Sequence, residues 1–395
     1  MHILIIGLGI SGQAVKNFCE ERGDTISIYD DALPPQPLAF EKIDLAIKSP
    51  GIPSTHPLVK SLQKYPIPVI GEIDLALQEI QDQTIYAITG SNGKTTTTLL
   101  ATHLLNLSGK KAMAVGNIGI PLISQVKSDV EIFVLELSSF QLESILIGHH
   151  FNRAVLLNIT PNHLDWHLTF EAYTKAKLRL QACLKKGAPF FTTHSIAKQF
   201  CPGATILPIE TIASLSYRNR QFYPHDLENI AAAYALTSVD QNRLKQGLDT
   251  FTKPPHRIEF VREYRGIHFV NDSKATSIDA VIKAIHTIKT SIVLIAGGVD
   301  KGGCYANWLS VFHQKVRKVF AMGEAAKKME NALAFEIQLE KVGSLEEGIK
   351  QATLFAKKGE TVLLSPGCSS YDQFKNYEER GDRFKEIVYA LEEIV

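Results

Sequence analysis

The sequence is most informative at first through what it lacks. It has five cysteines in 395 residues (Cys19, Cys183, Cys201, Cys304 and Cys368), with no CxxC pair among them. An odd number at irregular spacing fits neither a disulfide framework nor a zinc knuckle, and points to reduced thiols. Excess charge is also missing. The 42 Lys and Arg residues against 41 Asp and Glu leave a formal charge of +1, which gives no footprint for nucleic acid or an anionic membrane. No apolar run reaches the ~18 residues that a bilayer-spanning helix needs. The apolar start at residues 1–6 is broken by Gly7 and Gly9 and has no basic segment before it, so a cleaved leader is not expected. Low-complexity tracts and sequence repeats are absent too. These absences predict a cytoplasmic globular protein that handles small molecules.

The chain carries three runs of alternating strand and helix patterns. Strands are predicted at 2–6, 25–29, 84–89, 131–137, 154–159, 267–271, 291–296, 318–321 and 361–365. Helices are predicted at 95–105, 170–184, 277–288 and 345–356. Such alternation predicts an α/β protein with largely parallel sheets covered by helices, in which ligands sit beyond the carboxyl ends of the strands. Lys253-Pro254-Pro255 marks a boundary, because two prolines cannot sit inside a helix.

Several loops at those strand ends carry chemistry. Gly7-Leu8-Gly9-Ile10-Ser11-Gly12 matches G-x-G-x-x-G between a strand and a helix, where a diphosphate would meet helix N–H groups, with Asp30 or Asp31 about 20 residues on for a ribose hydroxyl. A tight turn without ligand is the alternative. Gly90-Ser91-Asn92-Gly93-Lys94-Thr95 is stronger. Its backbone would wrap phosphate oxygens, Lys94 would neutralise β/γ charge and the Thr95 hydroxyl would face Mg²⁺, although Ile88 replaces the first glycine of the strict P-loop. Glu136 ends an apolar strand, where a carboxylate needs a partner, either a Mg²⁺ ion or a structural cation. On residue types alone, His163-x-Asp165-x-His167 reads as loop surface, and Lys175 and Lys177 read as the solvated face of a helix. Asp272-Ser273-Lys274-Ala275-Thr276 puts a carboxylate, a cation and hydroxyls at a strand tip, for phosphate handling or for helix capping. The loops 297–303 and 365–371 complete that rim.

Taken in order, the blocks GLGISG, KSPGIP, AITGSNGKTTT, GNIG, ELSSFQLE, NITPNHLDWH, KAKLR, PHRIEF, NDSKATS and SPGCSSYDQFKNYEERG resemble the Mur ligases over essentially the whole chain. The last two resemble the D-glutamate-adding branch. The resemblance implies three domains: a Rossmann-like one at 1–71 for the UDP substrate, a central P-loop ATPase at 72–252, and a Rossmann-like one at 253–395 for the amino acid. It implies ATP-dependent joining of D-glutamate to UDP-MurNAc-L-Ala through an acyl phosphate, in cytoplasmic peptidoglycan precursor synthesis and hence in cell-wall biogenesis, cell shape and division. A monomer is expected, because nothing in the sequence reads as a coiled coil or a large exposed apolar face.

The same resemblance assigns residues. Gly7, Gly9, Ile10, Ser11, Asp30, Asp31, Ser49, Gly51 and Asn117 fall where the family holds the sugar nucleotide, with Ala32 where some relatives have a basic residue. Gly90, Asn92, Gly93, Lys94, Thr95, Thr96, Asn229, Arg257, Asp272 and Lys274 fall at ATP positions, although His225-Asp226 replaces the usual His-Asn. Lys94, Glu136, His163 and Lys177 are the implied catalytic set. Thr95, Glu136, His163 and Lys177 are the implied ligands of two Mg²⁺ ions, with Lys177 as a carbamate, which reverses the surface readings of His163 and Lys177. Thr276, Lys301, Ser370, Tyr371 and Tyr377 fall where the family holds D-glutamate. The rivals are a ligase adding another amino acid or using a folate acceptor, an NAD-dependent oxidoreductase, and a nucleotide-binding regulator without chemistry.

Overall fold

A computed structural model describes residues 1–34, 37–148, 150–215, 224–313 and 315–391. Three sheets follow one another along the chain. The first contains β1 (His2–Ile6), β2 (Thr25–Tyr29), β3 (Leu45–Lys48) and β4 (Val69–Gly71), in the order β2-β1-β3-β4. All its pairings are parallel, as the buried Ile/Leu run of β1 requires of a strand covered on both faces. The chain leaves β1 between its two neighbours, so the glycine turn at 7–12 lies at the point where strand order reverses. The helix Ile10–Arg22 ends where Gly23 takes a left-handed conformation and its N–H reaches the carbonyls of Cys19 and Glu20.

The second sheet contains β5 (Thr84–Thr89), β6 (Ala112–Gly116), β7 (Ile132–Glu136), β8 (Arg153–Leu156), β9 (Phe190–Thr192) and β10 (Thr205–Ile206), in the order β10-β9-β8-β5-β7-β6. Its register sets Ile88 beside Glu136 and Glu136 beside Gly116, so the loops after β5 and β6 and the Glu136 carboxylate gather at one edge. The reversal of strand order falls at β5, which feeds the helix Lys94–Leu107.

The third sheet contains β11 (Glu259–Tyr264), β12 (Ile267–Asn271), β13 (Ile292–Gly297), β14 (Val316–Met322), β15 (Gln338–Lys341) and β16 (Thr361–Leu364), in the order β11-β12-β16-β13-β14-β15. Only the β11–β12 pair is antiparallel. The last strand, β16, inserts between β12 and β13, which brings the loops after all three to adjacent strand tips.

In terms of packing, the chain divides into two compact units. One comprises Met1–Ile159 and Glu171–Phe251, with the first two sheets, and the other comprises Thr160–Phe170 and Thr252–Val395. The segment Thr160–Phe170 thus packs with the third sheet although it lies between two stretches of the other unit, a placement the strand pattern does not reveal. It also corrects the loop reading of 162–167. Leu164–His167 forms one helical turn, entered through His163 at φ 54° and left through Leu168 at φ 64°.

Candidate active site

The loop after β5 is fixed from outside. Asn158 accepts the Asn92 N–H on Oδ1 at 2.9 Å, donates from Nδ2 to the Asn92 carbonyl at 3.2 Å, and accepts the Ser91 N–H on its own carbonyl at 2.9 Å. The Ser91 hydroxyl is paired with the Tyr173 hydroxyl at 2.9 Å. Gly93 has φ +85°, and a Cβ there would meet Asn229 Oδ1 at 2.2 Å, so both conformation and space require glycine. The helix Lys94–Leu107 then starts with no side-chain cap, which is how a helix presents its first-turn N–H groups to phosphate. Thr95 and Thr96 stand half-buried in that first turn, and Asn229 accepts from the Thr97 hydroxyl at 3.3 Å. The side chain of His225 lies outside the described residues.

Two lysines converge beside this loop. Lys94 Nζ donates to the Gly90 carbonyl at 2.8 Å and to the Ser91 carbonyl at 3.1 Å, and Lys177 Nζ donates to the same Gly90 carbonyl at 2.8 Å. Lys177 lies on the helix Phe170–Ala182, four residues after Tyr173 and on the same face, with its ammonium 4.8 Å from that ring's centroid. Lys175, two residues earlier on the helix, is exposed, whereas Lys177 is 1% exposed. Burial, reinforced by the nearby Lys94 charge, holds Lys177 well below the ordinary lysine range. Lys94 is thus the cation of this loop, while Lys177 shares its carbonyl acceptor as a nitrogen whose charged form burial disfavours.

Glu136 faces this cluster from the tip of β7 and is 2% exposed. Its Oε1 accepts from Asn117 Nδ2 at 3.0 Å, whereas its Oε2 has no hydrogen-bond partner among the described residues. An unpartnered carboxylate oxygen is costly to bury, and a hard cation is its natural complement. The residues present therefore fit a Mg²⁺ ion, with Thr95 supplying a hydroxyl in the adjoining helix turn. Among the described residues no group of three or more His, Cys, Asp or Glu side chains is arranged to hold a metal ion, so Glu136 and Thr95 would not complete the coordination by themselves.

In the first sheet, Gly7 has φ +89°, and a Cβ on Gly12 would lie 1.9 Å from the Gly7 carbonyl oxygen, which holds the turn and the helix start in close contact. Ser49 donates to that same carbonyl at 2.8 Å. Asp30 accepts the Leu8 N–H at 2.6 Å and the Ala32 N–H at 2.9 Å, and these bonds hold its carboxyl below the ordinary range. Asp30 therefore fastens the glycine turn. Asp31 is exposed and accepts from the Tyr29 hydroxyl at 3.0 Å, and Ile10 is exposed at the turn. Gly9 and Gly51 meet nothing within 4 Å of a built Cβ, so sterics within the chain do not demand glycine at either position.

The other unit carries its own group. Asp272 is buried beneath the tips of β12 and β16, accepting from the Ser365 hydroxyl at 2.9 Å and the Ile258 N–H at 3.2 Å, and burial pushes its carboxyl up to about 7. It does not cap the following helix, since Ser277 does that by accepting the Ala280 N–H. Arg257 lies close enough to counter part of the burial effect on Asp272. The Lys274 ammonium sits 3.7 Å from the centroid of the Tyr377 ring, and Lys301 Nζ donates to the Thr276 hydroxyl at 3.3 Å. Thr276 and Lys301, with Asn162 and Leu164 of the 160–170 segment, line a cavity of about 370 Å³. Ser370 is buried in the loop after β16, Tyr371 is 74% exposed, and His163 lies in the 160–170 segment of this same unit.

Three residues that the motif reading did not single out organise these sites: Asn158, Tyr173 and Arg380. Asn158 and Arg380 stand in quoted blocks, and the four-residue spacing of Tyr173 from Lys177 on one helix was the available signal for Tyr173.

The sequence blocks, the P-loop over the reversal of strand order, and the domain matches agree on the class. The Mur ligase middle domain matches residues 88–237 and the Mur ligase glutamate ligase domain matches residues 256–368. The chain belongs to the Mur ligase family. It is 41% identical to the UDP-N-acetylmuramoylalanine–D-glutamate ligase of Protochlamydia amoebophila over 98% of both chains. It is 38% identical to the enzyme of that name from Chlamydia pneumoniae over 99% of both. Among solved structures, the fold is shared with the UDP-N-acetylmuramate–alanine ligase of Thermotoga maritima, at 16% identity over 99% of both chains and a TM-score of 0.62. The MurF ligase of Thermotoga maritima, solved in complex with ADP, matches at 19% identity over 100% of this chain and 95% of that one, with a TM-score of 0.61.

Proposed function

We propose that the chain is an ATP-dependent amide-forming ligase that joins D-glutamate to UDP-N-acetylmuramoyl-L-alanine in peptidoglycan precursor synthesis, acting in the cytoplasm as a monomer. The observation that carries the chemistry is the convergence of Lys94 and Lys177 on the Gly90 carbonyl, in the P-loop unit that also buries the unpartnered Glu136 oxygen. The full-length likeness to D-glutamate ligases carries the substrate. Among the described residues no helix is long and apolar enough to cross a membrane.

In this reading the alanine carboxylate attacks the γ-phosphorus of ATP, giving an acyl phosphate and ADP. The neutral amine of D-glutamate then attacks the acyl carbon, the nitrogen gives up a proton to solvent, and phosphate leaves with the bonding pair as the amide forms. Lys94 and the first-turn N–H groups orient the phosphates and offset charge on the transferring group, which is electrostatic rather than covalent catalysis. Gly90, Asn92, Gly93, Thr95, Thr96 and Asn229 complete the ATP site, with Arg257, Asp272 and Lys274 serving it from the last sheet. Glu136, Thr95, His163 and a carbamylated Lys177 would hold two Mg²⁺ ions, which neutralise phosphate charge. The depressed ammonium of Lys177 favours the neutral amine that carbamate formation consumes. Gly7, Gly9, Ile10, Ser11, Asp30, Asp31, Ser49, Gly51 and Asn117 receive the sugar nucleotide. Thr276, Lys301, Ser370, Tyr371 and Tyr377 receive D-glutamate.

The test is phosphate release from Mg²⁺-ATP with UDP-MurNAc-L-Ala, comparing D-glutamate, L-glutamate, L-alanine and no amino acid, with Lys94→Ala as control. Release that needs both the sugar nucleotide and D-glutamate, and is lost in Lys94→Ala, is expected. Turnover with another amino acid moves the substrate assignment, and no turnover by folded protein overturns it.

A further inference from the structure

Arg380 is fully buried on the helix Tyr377–Tyr389, yet among the described residues it forms no ion pair. Its guanidinium is spent on loop backbone instead. Nε donates to the Ser273 hydroxyl at 3.0 Å, and Nη2 to the carbonyls of Ser273 at 2.9 Å and Cys368 at 3.2 Å. Nη1 points to the Gly297 carbonyl at 3.5 Å. The Ser273 hydroxyl in turn donates to the Tyr377 carbonyl at 2.8 Å, which ties the fork back to its own helix.

Those three acceptor residues belong to the ends or exit loops of β12, β13 and β16, which are neighbours in the sheet because β16 inserts between the other two. The same loops carry Thr276, Lys301 and Ser370. Burying a guanidinium without a carboxylate in contact is expensive, and burial, offset in part by the Cys368 and Asp372 charges, lowers its pKa to about 10, which still leaves it charged at neutral pH. A methionine or leucine would fill the space at less cost but would link none of the loops. Only a planar five-donor fork reaches several carbonyls on separate chain segments at once.

We propose that Arg380 is a positioning residue that sets the spacing of the three strand-tip loops and thereby assembles the D-glutamate site without touching the amino acid. The inference rests on the ligase reading above. Its magnitude follows from geometry: a displacement of about 1 Å in a group that orients substrate costs on the order of 100-fold in rate.

The experiment uses the full chain as wild type, Arg380→Ala and Arg380→Lys, measuring KM for D-glutamate and for UDP-MurNAc-L-Ala, kcat, and the thermal midpoint. Arg380→Ala is expected to raise KM for D-glutamate about tenfold or more while KM for the sugar nucleotide, held by the other unit, stays within about twofold. Guanidinium chloride at tens of millimolar, filling the vacated site, is expected to restore much of the D-glutamate affinity to Arg380→Ala and to leave the wild type unchanged. Arg380→Lys keeps the charge and loses the fork, so its KM for D-glutamate rises as well. A wild type that does not use D-glutamate removes the ligase reading and this inference with it. An active wild type beside variants with unaltered KM for D-glutamate, and only a lowered midpoint, overturns this inference alone. If Arg380→Ala does not fold, Arg380→Lys decides by the same criterion.

Discussion

Glu72→Gln tests how a buried carboxylate joins the first two sheets. Glu72 opens the helix Glu72–Glu79 directly after β4 and is 2% exposed. Its Oε1 accepts the Ile123 N–H at 2.7 Å, and its Oε2 has no hydrogen-bond partner among the described residues. Burial pushes its carboxyl from 4.5 up to about 7, against the hydrogen bonds from Ile123 and Leu122, and the neighbouring Asp74 adds to the rise. A raised folded-state value means that the native protein holds the proton more tightly than the unfolded chain. The contribution to stability is therefore full below pH 4.5 and lost as the pH climbs through 7. Glutamine keeps the acceptor for Ile123 and has no proton to lose. Its unpartnered amide N–H adds an offset that does not vary with pH, and the raised carboxyl of Asp74 is common to both proteins. The stability of Glu72→Gln relative to wild type is expected to grow by about 2–3 kcal/mol between pH 5 and pH 8. Urea unfolding followed by far-ultraviolet circular dichroism at four pH values measures it. Both tryptophans, Trp166 and Trp308, lie in the other unit, so the tryptophan fluorescence transition serves as the internal control and should not move. Parallel wild-type and variant curves across that range would refute the assignment of a proton-linked joint.

Three further outcomes follow from the site geometry. Gly93→Ala forces a side chain into Asn229 Oδ1 at a left-handed position; ATP turnover should drop by at least about 100-fold while far-ultraviolet circular dichroism is retained. Asn158→Ala removes two side-chain bonds to the phosphate loop and keeps the backbone one to Ser91, and KM for ATP should rise about tenfold with KM for D-glutamate unchanged, read by steady-state kinetics. Asp30→Ala releases the Leu8 and Ala32 N–H groups at the first glycine turn; calorimetry should give UDP-MurNAc-L-Ala binding weaker by about 1–3 kcal/mol and nucleotide binding unaltered.

Much of the fold was legible because parallel sheets write themselves as short buried apolar strands. The predicted strand at 131–137 appears as β7, Ile132–Glu136, and the predicted helix at 95–105 as Lys94–Leu107. The motif at 90–95 was legible because glycine at φ +85° followed by Lys and Thr is a local requirement of phosphate binding. Lys177 was not legible from residue type. A lysine on a helix ordinarily reads as solvated, and only packing reveals that Lys177 is buried while Lys175, two residues earlier, is exposed. The single helical turn Leu164–His167 escaped because it is entered and left through non-glycine residues at positive φ, which tertiary contacts hold and local propensity does not favour.

The sequence by itself determined the alternation of strands and helices, the two glycine-rich loops and the blocks that define the family, because each depends on residues close together in the chain. The tertiary structure decided what depends on distant partners. It left Glu136 with an unpartnered oxygen, joined Lys94 and Lys177 at one carbonyl, and made Asp30 a fastener of its own turn. It also set Arg380 beneath three loops that are up to 95 residues apart in sequence, between Ser273 and Cys368. Burial and charge at these positions are properties of the packed sheet tips, and no window of the sequence contains them.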